Sequence, residues 1–175
     1  LVAEIGSGYY IFTHDSQRRG VGHGMNWGLR KTWEIGAEIV LMMEDDWELT
    51  NPLDLKPYVD TLVKHQEHGL IRFGYLSPGP QANLISEEVK LYWRLENNGY
   101  TYRYAGHPSL RHRRFHDIYG MFDEGLAPGA TELSMCGKVN SRQGPSILYP
   151  AECGQWGFWA HIGADSLADI QPQRK

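Results

Sequence analysis

The chain has 175 residues, 41% hydrophobic and 22% charged, with a net charge of −4. That is enough for one domain with a core, and the acidic balance argues against nucleic acid as a partner. Cys136 and Cys153 fit no CxxC spacing and imply neither a disulfide framework nor a cysteine zinc site. No apolar run approaches the roughly 20 residues of a membrane span and no signal peptide is evident, so a cytoplasmic location without a transmembrane segment is expected.

GYYIFTHDS (8–16) reads as a strand, the β-formers Tyr9 to Thr13 running into a polar turn at His14, Asp15 and Ser16. Residues 18–38 read as a glycine-rich loop passing into a helix. Met25, Leu29 and Trp33 recur at i, i+4 and i+8, and Gly36 supplies a stop. The apolar run Ile39 to Met43 has the length and character of a parallel strand covered on both faces. After Pro52, Leu55, Tyr58, Val59 and Leu62 have helical spacing, with Gly69 as terminator. A strand follows at 70–76, a loop at 77–84, and strands at 89–95 and 100–106 joined as a hairpin through ENNG. Residues 113–122 read as a short helix, 131–142 as a helix and 146–151 as a strand. Strands alternating with helices point to one α/β domain over residues 1–175, with an open, mostly parallel sheet flanked by helices.

The apolar run ends in Glu44-Asp45-Asp46, followed by Trp47. Ligands of open α/β sheets gather beyond the carboxyl ends of strands. Adjacent carboxylates raise one another's pKa unless a cation joins them. Hard oxygen ligands suit Mg²⁺ or Mn²⁺, with positions left open for substrate phosphates. The competing explanation is a solvated acidic turn ahead of the helix near Pro52. A buried strand before the acids and a Trp behind them favour the metal.

RRGVGHGMNWGLRKTWEIGAEIVLMMEDDWEL resembles the middle of a GT-A-fold (Rossmann-like) glycosyltransferase, most closely the family 2 enzymes. Those carry a glycine-containing loop, an N-x-G helix start (here Asn26-Trp27-Gly28) and a strand ending in a DxD motif, here the EDD of Glu44, Asp45 and Asp46. RRFHDIYGMFDEGL (113–126) is similar to the segment in which an Arg pair precedes a GGFDE-like turn. GATELSMCGKVNSRQG (129–144) resembles the helix that supplies the catalytic base of inverting members, with Thr131-Glu132 in place of ED. Each motif is weak alone; their order and spacing over residues 10 to 150 carry the likeness.

The resemblance implies a metal-dependent, inverting transfer of a sugar from a nucleotide diphosphate, a UDP- or GDP-sugar, to the hydroxyl of a carbohydrate or other acceptor. Asp46 would coordinate Mn²⁺ or Mg²⁺, with His161 of GQWGFWAHIG as a late ligand. Glu44 and Asp45 would bind the nucleotide sugar through water, ribose or base, Asp15 the base or ribose, and Arg19 (with Arg18) the diphosphate. Arg114, with Arg113, would hold phosphate or the donor sugar through its guanidinium fork. Glu132 would be the general base, with Asp123 and Glu124 as alternatives. The competing role for Glu132 is a charge in the first turn of a helix.

The likeness has gaps. The first β-α unit that holds the base in such enzymes is lacking, which implies N-terminal incompleteness, or homo-oligomerisation to cover the exposed sheet edges. Residues 77–112 carry no usable pattern. Two other classes stay open: a nucleotidyltransferase, and a non-catalytic sugar-binding domain of the same shape.

Overall fold

The computed structural model describes residues 2–4, 10–12, 19–74, 82–87, 90–99, 101–127, 129–153 and 157–162. In chain order the elements are strands β1 (Val2–Glu4) and β2 (Tyr10–Phe12), helix α1 (Val21–Glu34), strands β3 (Ile39–Met42) and β4 (Trp47–Leu49), helix α2 (Lys56–Lys64), strands β5 (His68–Arg72), β6 (Ala82–Glu87), β7 (Lys90–Leu95) and β8 (Ser109–His112), helices α3 (Arg113–Tyr119) and α4 (Ala130–Ser141), and strands β9 (Ser146–Pro150) and β10 (Trp159–His161). None of the described helices is long and apolar enough to cross a membrane.

The fold is mixed α/β around a six-stranded sheet of order β3-β8-β5-β9-β7-β6. Alternation along its inner strands divides the core between two faces. Leu70, Ile147 and Tyr149 point into one cluster, with Leu29 of α1, Phe115 of α3 and Met135 of α4. Ile71 and Leu148 point into the other, with Tyr58 and Leu62 of α2 and with Trp47 and Trp159 of the β4–β10 ribbon. β5 is buried along its whole length, as a strand covered on both faces must be. The helical spacing of Met25, Leu29 and Trp33 is realised in α1, which ends before Gly36 at φ +83°.

The sheet itself corrects the expectation of a mostly parallel one. Among the described residues of this sheet only β5 and β9 pair in parallel; β3–β8, β5–β8, β7–β9 and β6–β7 are antiparallel. The strand that changes the topology is β8, inserted between β3 and β5. Its sequence SLRH has no apolar alternation, because the buried Arg111 lays its guanidinium over the rings of Tyr104 and Phe122 at 5.2 and 5.6 Å. β3 is therefore an edge of this sheet and not a doubly covered strand, and Leu41 and Met43 are exposed.

Two local expectations also change. Residues 101–103 form a 3₁₀ turn, so β7 takes β6 as its hairpin partner. Side chains occupy the main-chain acceptors a strand would need there: Arg72 Nη1 donates to the carbonyls of Tyr102 and Arg103, and Asn140 Nδ2 to that of Thr101. Gly69 lies inside β5, where an added Cβ would sit 2.8 Å from the Pro145 ring; α2 already stops at His65.

Candidate active site

The acidic turn between β3 and β4 is held by β10. Trp47 stands opposite His161 in the β4–β10 ladder, and the Ile162 N–H donates to the Asp46 carbonyl at 2.7 Å. The ribbon reaches the end of β5 through Gly157, at φ +74°, where a Cβ would lie 2.3 Å from the carbonyl oxygens of Phe73 and Gly74. Only glycine permits that approach. The result brings together two residues 115 positions apart: His161 Nε2 is 3.0 Å from Asp46 Oδ2. The Trp47 ring, buried to 6% exposure, packs against both His107 and His161 with centroids 5.0 Å apart.

A cavity of about 370 Å³ opens beside this pair, lined among others by Glu44, Trp47, His107, Glu132 and His161. Glu132 stands in the first turn of α4, and its Oε1 accepts the Gly106 N–H at 2.6 Å. Burial pushes the Glu44 carboxyl above the ordinary carboxylate range, and the negative charges of Asp46 and Glu132 add to it; His161 and Arg111 pull the other way. A cation entering here would remove that repulsion.

The donor set fits a hard divalent ion. Asp46 Oδ1 is buried without a hydrogen-bond partner among the described residues, which leaves a carboxylate oxygen for an ion. The 3.0 Å between Oδ2 and Nε2 matches adjacent positions around an octahedral ion with bonds of about 2.1 Å.

Asn26, 1% exposed, joins α1 to the loop after α3. Its Nδ2 donates to the Phe122 carbonyl at 2.9 Å and to Glu124 Oε1 at 2.8 Å, and its Oδ1 accepts the Phe122 N–H at 2.9 Å. Gly22 lets the helix come this close, since a Cβ there would lie 2.2 Å from the Asp123 carbonyl oxygen. Asn26→Ala should destabilise the protein by about 2–4 kcal/mol, because both Phe122 main-chain groups lose their partner. Urea unfolding measures this, and a loss below about 1 kcal/mol contradicts the clamp.

Both alternative bases are engaged by structural partners. Glu124 is bonded to Asn26, His23 and Arg30, which hold its carboxyl down at about 2. Asp123 is held low by Lys138 at 2.6 Å and by Ser134. A depressed carboxylate stabilises the fold above its unfolded pKa, and loses that contribution as pH falls through the folded one. The Glu124 clamp should therefore be complete above about pH 4.5 and weaken down to about pH 2. Melting temperature followed over that window should fall less steeply in Glu124→Gln than in the wild type; parallel curves would contradict it.

The remaining expected residues separate. Asp45 is exposed and lines, with Glu44 and Asp46, an adjoining groove of about 630 Å³ between α1 and β3. Arg19 is exposed one residue before Gly20 of the cavity wall. Asp15 and Arg18 lie outside the described residues. Arg114 does not line the cavity: its Nη1 donates to the main-chain carbonyls of His65 and His68 at 3.1 and 3.0 Å. Arg113 lies over the Trp33 ring at 5.3 Å. Both sit at the start of α3, which carries Arg114 to the His68 end of β5 and Arg113 to α1, and neither lines the cavity. Tyr104, Gly106 and His107 line the cavity from a segment in which no motif marked them.

No family model, no curated protein and no solved structure matches the chain.

Proposed function

We propose that the protein is a metal-dependent glycosyltransferase of GT-A-like design, moving a sugar from a nucleoside-diphosphate sugar to an acceptor hydroxyl with inversion. What supports this is one convergence. Glu44, Glu132 and His161, drawn from distant parts of the chain, line a single cavity, and Asp46 pairs with His161 at its edge. The antiparallel sheet lends the proposal nothing; the site carries it.

Glu132 takes the proton of the acceptor hydroxyl. The oxygen attacks the anomeric carbon from the face opposite the diphosphate. The bond from that carbon to the phosphate oxygen breaks, and the nucleoside diphosphate leaves. Asp46 and His161 would hold Mn²⁺ or Mg²⁺, which as a Lewis acid neutralises charge on the leaving diphosphate. The Gly106 N–H fixes the Glu132 carboxylate toward the cavity. The groove beside it shares Val21, Met25 and Glu44 with the cavity and continues along Leu29, Val40 and Met42. Its apolar wall suits the flat face of a nucleobase.

The test is calorimetry of the chain against UDP and GDP with and without Mn²⁺, followed by product analysis with UDP- and GDP-sugars. Metal-dependent nucleotide binding and release of free nucleoside diphosphate are expected. Release of pyrophosphate would instead make it a nucleotidyltransferase. Carbohydrate binding without any turnover would make it a binding domain.

A further inference from the structure

A second group of metal-ligating side chains lies apart from the cavity. It comprises His65, just after α2; Glu67 in the following turn; His68, the first residue of β5; and Glu87, the last residue of β6. One ligand atom from each falls within 4.8 Å of all the others. Arg72, at the opposite end of β5, is the residue that reaches cavity-lining His107. At about 3.3 Å per residue, Arg72 stands roughly 13 Å along β5 from His68.

The spacings suit a small four-coordinate ion. His68 Nε2 is 3.1 Å from Glu87 Oε1, His65 Nδ1 is 3.3 Å from Glu87 Oε2 and 3.7 Å from Glu67 Oε1, and His68 Nε2 is 4.0 Å from Glu67 Oε1. Ligands in a tetrahedron with bonds of about 2.0–2.1 Å stand about 3.3 Å apart. Two imidazoles and two carboxylates are a borderline set that zinc accepts.

Orientation is already provided. Ser146 Oγ lies 2.6 Å from His68 Nδ1 and leaves Nε2 facing Glu87. A hydrogen bond on the far ring nitrogen is the usual outer support of a metal-bound histidine. The ligand-bearing turn is fixed through its main chain: the Ser146 N–H donates to the Glu67 carbonyl at 2.7 Å, and Arg114 to those of His65 and His68. His68 is 1% and Glu87 17% exposed, while Glu67 at 63% is the open side through which an ion would enter.

We propose that His65, Glu67, His68 and Glu87 form a structural zinc site that ties the β6 edge of the sheet to the α2–β5 turn. Its ligands are all protein side chains, so it stabilises and does not catalyse.

The test uses the full chain after chelator treatment. Zn²⁺ is titrated calorimetrically, and Co²⁺ is added as a visible probe of tetrahedral geometry. Zinc should bind, Co²⁺ should give the strong d–d absorption of a tetrahedral site, and zinc at 100-fold over its Kd should raise Tm by about 5–10 °C. Glu87→Gln should weaken zinc at least about 10-fold. Asp46→Ala, which alters only the pair at the cavity, should leave this binding unchanged, and nucleotide binding should survive in Glu87→Gln. Absence of zinc binding overturns the site, leaving the cluster as histidine–carboxylate ion pairs. So does equal affinity in folded Glu87→Gln and wild type, or loss of the binding in Asp46→Ala. If Glu87→Gln fails to fold, Glu67→Gln, at the exposed ligand, decides on the same criterion.

Discussion

Glu132→Gln lowers turnover by roughly 10²–10⁴-fold, the scale of a lost general base, and leaves donor affinity nearly untouched. The substitution is well posed structurally. A Gln oxygen still accepts the Gly106 N–H that Glu132 accepts at 2.6 Å, so the start of α4 keeps its contact with the 104–107 segment. What disappears is the proton acceptor. The kinetic signature is a fall in kcat at constant donor KM. Asp123→Asn and Glu124→Gln are the controls. Both carboxylates are held ionised by structural partners, Asp123 by Lys138 and Glu124 by Asn26, and depressed carboxylates are weak bases. Turnover within a few-fold of wild type in Glu132→Gln, with collapse in Asp123→Asn, would move the base to Asp123.

Asp46→Ala lowers nucleotide affinity in Mn²⁺ by about 100-fold or more, while the weak binding without metal stays as it was. Asp46 is the carboxylate half of the 3.0 Å pair with His161. With it gone, the cavity offers a lone imidazole beside Glu44, whose carboxyl burial already raises. Chelation of the wild type should reproduce the variant's affinity, because both remove the same ion. His161→Gln should weaken metal-dependent binding in the same direction. Folding is checked by circular dichroism, since the β4–β10 ladder depends on main-chain bonds that the substitution leaves in place. Unchanged nucleotide affinity in Mn²⁺ would remove the metal from the site and leave the Asp46–His161 contact as an ion pair.

Much of this molecule is legible in its residues taken alone. The period of Met25, Leu29 and Trp33, the apolar run 39–43 and the stretch 131–142 each specify an element through local geometry, and α1, β3 and α4 follow. The chemical character of Glu44-Asp45-Asp46 is equally local: three adjacent acids after an apolar run are visible in the residues themselves. Which residues meet them is not local. His161 reaches Asp46 only because Gly157 lets a ribbon press against the end of β5, and Glu132 faces the cavity only because α4 begins beside Gly106. The sheet order was likewise decided in three dimensions, by a strand whose buried Arg111 is stabilised by aromatic faces from elsewhere in the chain. Periodicity cannot register that, since a buried cation becomes acceptable only when its distant partners have assembled. The same holds for His65 and His68: the spacing HQEH is unremarkable until β6 delivers Glu87 and β9 delivers Ser146.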